Sequence, residues 1–398
     1  MKKRVLFVDD EPLVLQGLQR MLRPMRNDWE MDFVESGALA LERMAQAPFD
    51  IVVSDMCMPG MNGAQLLTEV MKRFPKTVRL ILSGHADKDL VLKCIGSTHQ
   101  YLAKPCEPDA LKATITRASA LELSLSSGTL KKLVGQMDRL PSLPSLYVEI
   151  VEKLNQPEMD LEEVGRIIAQ DVGMTAQVLK LVNSAFFGLR RQLANASEAV
   201  TYLGGETMKS LVLSIHAFSQ FESADLGEFS LDKLRSHSTE VAAAAKAIAL
   251  AEGAEVKVVD EAFVAGMLHD IGKLVLLSNF GKQYLEVFRL EHEKQVNASA
   301  AEERVFGANH ADIGGYLLGL WGLPVPVVEA IALHHTPRGS PQKTFTPLTA
   351  VHVADALVHG AEANGAAVPP DRLDPQYLAE LGLTGRIDAW HQAWQNNS

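Results

Sequence analysis

Over the first 122 residues, strand-like and helix-like patterns alternate five times, and this alternation constrains the fold more than any other feature of the chain. Strand patterns fall at 4–9 (RVLFVD), 29–36 (WEMDFVES), 50–55 (DIVVSD), 77–84 (TVRLILSG) and 100–105 (QYLAKP). Helical patterns at 12–23, 37–46, 63–74 and 87–96, and a fifth from Pro108 onward, fill the intervals. Strict alternation predicts an α/β unit, a doubly wound five-stranded parallel sheet with helices on both faces. Ile51, Val52 and Val53 form the apolar run expected of a strand buried on both sides. Sheets of this type gather their functional residues at the carboxyl ends of the strands.

Those ends hold a concentrated chemistry. Asp9-Asp10 closes the first strand, Asp55 the third, Ser83-Gly84 the fourth and Lys104-Pro105 the fifth. Singly, each has an ordinary explanation: Asp10-Glu11-Pro12 as a helix cap, Ser83-Gly84 as a turn, Lys104 as a solvated loop lysine. Together they bring three carboxylates to one crevice, where repulsion calls for a cation. Mg²⁺ suits, because it takes one or two carboxylates plus waters and phosphate oxygens. Lys104 offers fixed positive charge to a phosphoryl group, and Ser83 a hydroxyl donor. The implied chemistry is attack by the Asp55 carboxylate on phosphorus, giving an acyl phosphate.

The motifs VDDE, SDMCMPGMNG, LSG and YLAKP resemble those of the receiver domain of bacterial response regulators, across the whole of 1–122. The resemblance implies Asp55 as phosphoacceptor, Asp9, Asp10 and Asp55 as holders of Mg²⁺, and Ser83 and Lys104 as phosphoryl-binding groups. It also implies Tyr101 as the switch aromatic, turning inward when the hydroxyl residue moves to the phosphate, and a cis Lys104–Pro105 bond. The phosphodonor it implies is a sensor histidine kinase or a phosphotransfer protein. The state is expected to be read on the face of the fourth helix, fifth strand and fifth helix, through which such domains also form homodimers.

Serine and glycine break the helical pattern after Glu122, and residues 123–138 are expected to be a linker, either jointed or helical. Residues 139–362 read as helices only, and 363–398 as a tail with a last short amphipathic helix carrying Trp390 and Trp394. Asp171, Thr175, Asn183 and Ser184 are ordinary caps and core hydrogen-bonders by themselves. Yet DVGMTAQVLKLVNSAFFG (171–188) and AVTYLGGETMKSLVLS (199–214), with PSLPS at 141–145, resemble the opening of the HDOD output domain. The fold implied is all-helical and related to the HD superfamily.

Histidine and aspartate recur through its second half. His237 lies in LRSHSTEVAAAAKAIA, and His269-Asp270 in VAGMLHDIGKLVLL with Lys273 a turn later. His310 opens HADIGGYLLGLWGLP, His334-His335 closes VVEAIALHHTP, and Asp355 sits in AVHVADALVHG. Imidazole with carboxylate suits Fe, Mn, Zn or Ni. The order H…HD…D resembles the ligand pattern of HD phosphohydrolases, and His310 with His334-His335 resembles the extra metal-site histidines of the HD-GYP branch, which cleaves cyclic di-GMP. His352 and His359 are read as core residues. Two departures stand against catalysis: Lys233 where that branch has a bridging glutamate, and TPRGSP in place of the GYP loop. Lys273 and Arg338 are the candidates for recognising a phosphodiester.

Composition narrows the partners. With 47% apolar and 22% charged residues the 398-residue chain has material for sizeable cores. A net charge of −11 and pI near 5.6 give no field that would draw nucleic acid or an anionic membrane. No window approaches the roughly 20 apolar residues of a membrane span. Cys57, Cys94 and Cys106 show no metal or disulfide spacing, so a reducing cytoplasm is expected. The expectation is a phosphorelay response regulator. Its HDOD domain passes the state to a downstream protein, any metal there being structural. The alternative is an output enzyme, a metal-dependent phosphohydrolase of a cyclic dinucleotide or nucleotide.

Overall fold

Five parallel strands, in the order β2-β1-β3-β4-β5, build the N-terminal part of the computed structural model. The structure describes residues 2–83, 97–104, 111–116, 128–135, 159–183, 191–205, 231–294, 296–362 and 372–396, with positions 106, 109, 150, 153, 154, 189 and 208. The strands are β1 (Lys3–Val8), β2 (Trp29–Val34), β3 (Ile51–Asp55), β4 (Val78–Ser83) and β5 (Gln100–Ala103). Every residue of β3 and β4 is buried, as a central strand covered on both faces requires. Helices α1 (Pro12–Met21), α2 (Gly37–Gln46) and α3 (Gly63–Arg73) form the first three crossovers. Their starts follow local chemistry: proline opens α1, the Ser36 hydroxyl caps α2, and Asn62 with Gln65 forms a reciprocal capping box on α3. The helix expected at 87–96 and the Lys104–Pro105 bond lie outside the described residues.

Helix α4 (Gly128–Gly135) stands inside the stretch expected to be a linker. Residues 111–116 are helical, where the fifth helix is expected, and further helices among the described residues include α5 (Leu161–Ile168), α6 (Val172–Val182), α7 (Ala196–Leu203), α8 (Leu231–Ala251), α9 (Val256–Leu268) and α10 (Ile271–Lys294, kinked at Phe280). They continue with α11 (Ala298–Phe306), α12 (His310–Leu320), α13 (Val325–Leu333), α14 (Pro347–Glu362), α15 (Pro375–Glu380) and α16 (Ile387–Gln395). Helix α8 packs on α9 and α14, and α12 on α10 and α13, so α8, α9, α12, α13 and α14 surround one centre. The run Val256–Glu293 is long and apolar enough to cross a bilayer by composition, but 72% of its most apolar window is buried in the protein. It is a pair of core helices. The tail helix α16 docks on the body: Trp390 is buried and its Nε1 donates to Glu252 Oε1 at 2.7 Å.

The sheet and the helical part touch along β4 and β5. Gln100 Nε2 at the start of β5 donates to the Leu320 carbonyl at the end of α12, 2.9 Å away. Lys180 of α6 reaches across, its Nζ 4.6 Å from the Trp321 ring centroid and 5.8 Å from that of Tyr101. Arg79 of β4 is buried, donating from Nε to the Ser97 carbonyl at 2.6 Å. Burial lowers its guanidinium to about 9, partly offset by Tyr316 of α12. Buried cations are costly, and ring faces return part of that cost. Helix α4 lies against both parts, touching α12 and, through Gly135, the Pro75 carbonyl.

Candidate functional site

The carboxyl ends of β1, β3 and β5 converge on one lysine. Lys104 Nζ donates to Asp9 Oδ2 at 2.7 Å and is also ion-paired with Asp55. Asp9 and Asp55 are buried, and Asp10 is half-buried beside them. The other carboxylate oxygens are held by the following backbone, Asp9 Oδ1 by the Glu11 N–H at 3.0 Å and Asp55 Oδ2 by the Cys57 N–H at 2.9 Å. The loop after Asp55 folds tightly onto it: a Cβ at Gly63 would lie 2.1 Å from the Asp55 carbonyl oxygen, so only glycine fits. Ser83 is buried at the end of β4, and its carbonyl accepts from the Lys104 N–H at 2.8 Å.

Charge in this pocket is unbalanced. Burial pushes the Asp55 carboxyl up, Asp9 adds to the push, and Lys104 pulls the other way. Burial works against the Lys104 ammonium, but its two carboxylates more than compensate and leave its pKa raised. One ammonium faces Asp9 and Asp55, with Asp10 alongside. The excess of negative charge and the oxygen-only donor set fit Mg²⁺.

A second constellation lies among α8, α9, α12, α13 and α14. His269 and His334 each follow the last turn of a helix, where free carbonyls await donors. The His269 Nδ1 meets the Gly266 carbonyl and the His334 Nδ1 the Ile331 carbonyl, both at 2.7 Å. A carbonyl only accepts, so each Nδ1 carries the proton and each Nε2 is a bare lone pair. Both Nε2 atoms are buried without a hydrogen bond. His310 is set the same way: its Nδ1 lies 2.6 Å from Glu302 Oε2, leaving Nε2 toward the cluster. That Nε2 is 2.9 Å from His335 Nε2 and 3.3 Å from Asp270 Oδ1. Asp355 Oδ1 lies 3.2 Å from His237 Nε2 and 3.6 Å from His269 Nε2. Three overlapping trios have donor atoms within 4.8 Å of one another: His310/His334/His335, His237/His269/Asp355 and His269/Asp270/His334. Inward lone pairs fixed by outer hydrogen bonds are the arrangement metal-binding histidines adopt.

Helix α10 closes tightly on this centre. A Cβ at Gly272 would fall 2.0 Å from the His310 carbonyl oxygen, so α10 and the start of α12 meet in backbone contact. A cavity of about 280 Å³ opens beside the cluster, and its lining includes Asp270, Lys273, His310, His335, His359 and Arg372. Lys273 Nζ donates to Asp270 Oδ2 at 2.7 Å.

Models of two protein families match the chain: the response regulator receiver domain over residues 5–116 and the HDOD domain over 140–337. The chain is a receiver–HDOD protein. An uncharacterized protein of Treponema pallidum (strain Nichols) is 26% identical over 260 residues, which is 65% of this chain and 50% of that protein. The hydrogenase transcriptional regulatory protein HoxA of Cupriavidus necator is 32% identical over 116 residues, 29% of this chain and 23% of its own length. The chain thus spans half or less of these relatives. The crystal structure of the MmoQ response regulator from Methylococcus capsulatus superposes with a TM-score of 0.50 at 22% identity, over 64% of this chain and 98% of that one. At that identity the likeness is one of fold.

The receiver–HDOD protein brings the sequence-predicted residues together in two places. Asp9, Asp10, Asp55, Ser83 and Lys104 sit at adjoining strand ends. Tyr101 is fully buried under the HDOD domain's Lys180. His237, His269, Asp270, His310, His334, His335 and Asp355 share the second cluster. His352 is a satisfied core residue, its Nδ1 on the His334 carbonyl at 2.7 Å and its Nε2 accepting from the Asp374 N–H at 2.9 Å. His359 departs from expectation. Its ring is 4.4 Å from that of His237, and it lines the cavity. Arg338 also departs: it pairs with Asp374 at 2.7 Å on the surface, and Arg372 takes the place beside the cavity. Lys233 is exposed, one turn before His237. Glu302 escaped sequence reasoning altogether. It is fully buried, accepting from the His310 backbone N–H at 2.8 Å and the Tyr284 hydroxyl at 2.6 Å.

Protonation in this cluster gives a pH prediction. Burial lowers His269 and His352, and lowers His334 to about 3, with His269 and His310 adding to the last. These rings stay neutral in the folded chain and take up protons on unfolding below their ordinary pKa of 6.5. Stability of the metal-free protein is therefore complete above pH 6.5 and falls on acidification toward the folded values. His334 alone accounts for roughly 1 kcal/mol of that loss by pH 5.5, and His269 and His352 act in the same direction. Asp270 and Asp355 are also buried, but Lys273 and His237 hold them well below the carboxylate range, so they contribute only at lower pH. Urea midpoints between pH 7.5 and 5.5 check this; a flat profile would contradict neutral buried imidazoles.

Proposed function

We propose that the chain is a cytoplasmic response regulator in which Asp55 takes a phosphoryl group from a histidine kinase or phosphotransfer protein. The HDOD domain then passes that state to a downstream protein. The observation that carries this reading is Lys104 held between Asp9 and Asp55, an acidic pocket one cation short of balance. Asp9, Asp10 and Asp55 would hold Mg²⁺, which when bound shields the phosphoryl oxygens from the attacking carboxylate. Asp55 supplies the nucleophilic oxygen, oriented by the Cys57 N–H. Lys104 and the Ser83 hydroxyl then receive the new phosphoryl oxygens. Roughly two added negative charges reorganise the groups around them.

Hydrogen exchange tests the relay. Exchange in α4 and α6, and at the end of α12, should differ between the free protein and one shown to be phosphorylated. Identical exchange in both states would argue that the domains are merely tethered.

A second reading, a metal-dependent phosphohydrolase output, is favoured by the two buried Nε2 atoms without hydrogen bonds and by the cavity beside them. His237, His269, Asp270, His310, His334, His335 and Asp355 would hold the metal, the donor set fitting Fe, Mn, Zn or Ni. A bound ion would bring a water's pKa toward neutrality. Lys273 and Arg372 stand at the cavity as cations for an anionic substrate. The exposed Lys233, and a tight 3₁₀ turn at Pro337–Gly339 after His335, keep this reading second.

A further inference from the structure

Helix α12 runs from the His/Asp cluster to the amino end of the receiver strand whose other end leads to Lys104. It begins at His310, whose ring faces the metal-ligand cluster, and ends at Leu320, whose carbonyl accepts from Gln100 of the receiver. Its ends are about 15 Å apart, and it is buried along its length except at Asp312. On the receiver side, β5 carries Gln100 and Tyr101, and the chain leaving it carries Lys104 of the acidic pocket. Strand β5 and helix α12 are thus two rigid elements in series, joined by the Gln100–Leu320 hydrogen bond. Lys180 wedges between Tyr101 and Trp321 at the same junction. At the far end the backbone contact between Gly272 and His310 ties any displacement of α12 to α10, which carries Lys273 beside Asp270.

We propose that α12 couples the two sites, so that the phosphoryl state of Asp55 sets the metal affinity of the His/Asp cluster, and metal in the cluster sets the receiver's affinity for phosphoryl. Close-packed elements shift between discrete arrangements rather than deform gradually, so a small change at Lys104 can be delivered intact at His310. Coupling of this kind is reciprocal: each ligand changes the other's affinity by the same factor. The proposal rests on both readings above, Asp55 as phosphoacceptor and the cluster as a metal site.

The test uses the full chain and Co²⁺, whose visible absorption reports histidine ligation, with excess Mg²⁺ to keep Co²⁺ off the receiver. Beryllofluoride stands in for the phosphoryl group. Beryllofluoride should change the Co²⁺ dissociation constant by at least about five-fold, and Co²⁺ should change that of beryllofluoride by the same factor. Gln100→Leu with Lys180→Met should remove the linkage while each affinity measured alone stays within about two-fold of wild type. Where that variant does not fold, reciprocity in the wild type decides. Equal Co²⁺ affinity with and without bound beryllofluoride, confirmed by fluorine resonance, overturns the coupling and leaves both sites standing. Absence of Co²⁺ binding overturns the metal reading and the coupling with it. Absence of beryllofluoride binding does the same through the receiver.

Discussion

Asp55→Asn should abolish acyl-phosphate formation with a small phosphodonor and Mg²⁺, taking stoichiometric labelling to background. The amide keeps the shape of the carboxylate and its acceptor for the Cys57 N–H, but it has no anionic oxygen to attack phosphorus. The loss should come without unfolding. Burial and Asp9 already raise the Asp55 pKa, which means that its charge is held at a cost; a neutral amide relieves that repulsion and leaves Lys104 paired with Asp9. The urea midpoint of the variant should therefore match or exceed that of wild type. Labelling that persists stoichiometrically in Asp55→Asn would move the acceptor elsewhere, Asp9 and Asp10 being the nearest carboxylates.

The sheet was legible because its code is short-range. A buried parallel strand must be apolar throughout, and IVV and LIL say so in three residues; the strand ends then follow by arithmetic, and with them Asp9, Asp55, Ser83 and Lys104. The histidine cluster was legible through the order of its motifs. Its edges were not, because membership there depends on which helix faces inward. His352 and His359 lie seven residues apart on α14, too similar in local sequence to be told apart. One bonds to the His334 carbonyl, away from the ligand atoms, and the other meets the ring of His237. Glu302 carried no signal, since EER in an exposed-looking helix reads as solvated charge; only the fold sets it under His310 and Tyr284. The domain junction was invisible for the same reason. Gln100 and Leu320 are 220 residues apart, and neither looks unusual where it stands.

The second large effect concerns the cluster. Wild-type protein loaded with Fe²⁺ or Mn²⁺ should hold at least one ion per chain by elemental analysis, and His269→Ala with Asp270→Ala should hold less than about one tenth of that. His269 belongs to two of the three ligand trios and Asp270 to one, and Asp270 also faces His310, so the pair reaches every part of the cluster. Glu302 enters here as the outer carboxylate that keeps the His310 lone pair inward, support of the kind on which metal affinity commonly depends by ten- to a hundred-fold. The double substitution also strips Lys273 of its 2.7 Å partner, leaving a half-buried cation unpaired there. His334→Ala, which keeps that ion pair, therefore serves as the second variant, with the far-ultraviolet spectrum of each confirming the fold. Loss of metal in both variants would make the cluster a ligand site and justify assaying cyclic dinucleotides against the cavity lined by Lys273 and Arg372. Full metal in both would place the ion elsewhere. Failure of the wild type to take up metal would mean that the two bare imidazole nitrogens are a burial cost kept for packing, and that the HDOD domain acts through its surface alone.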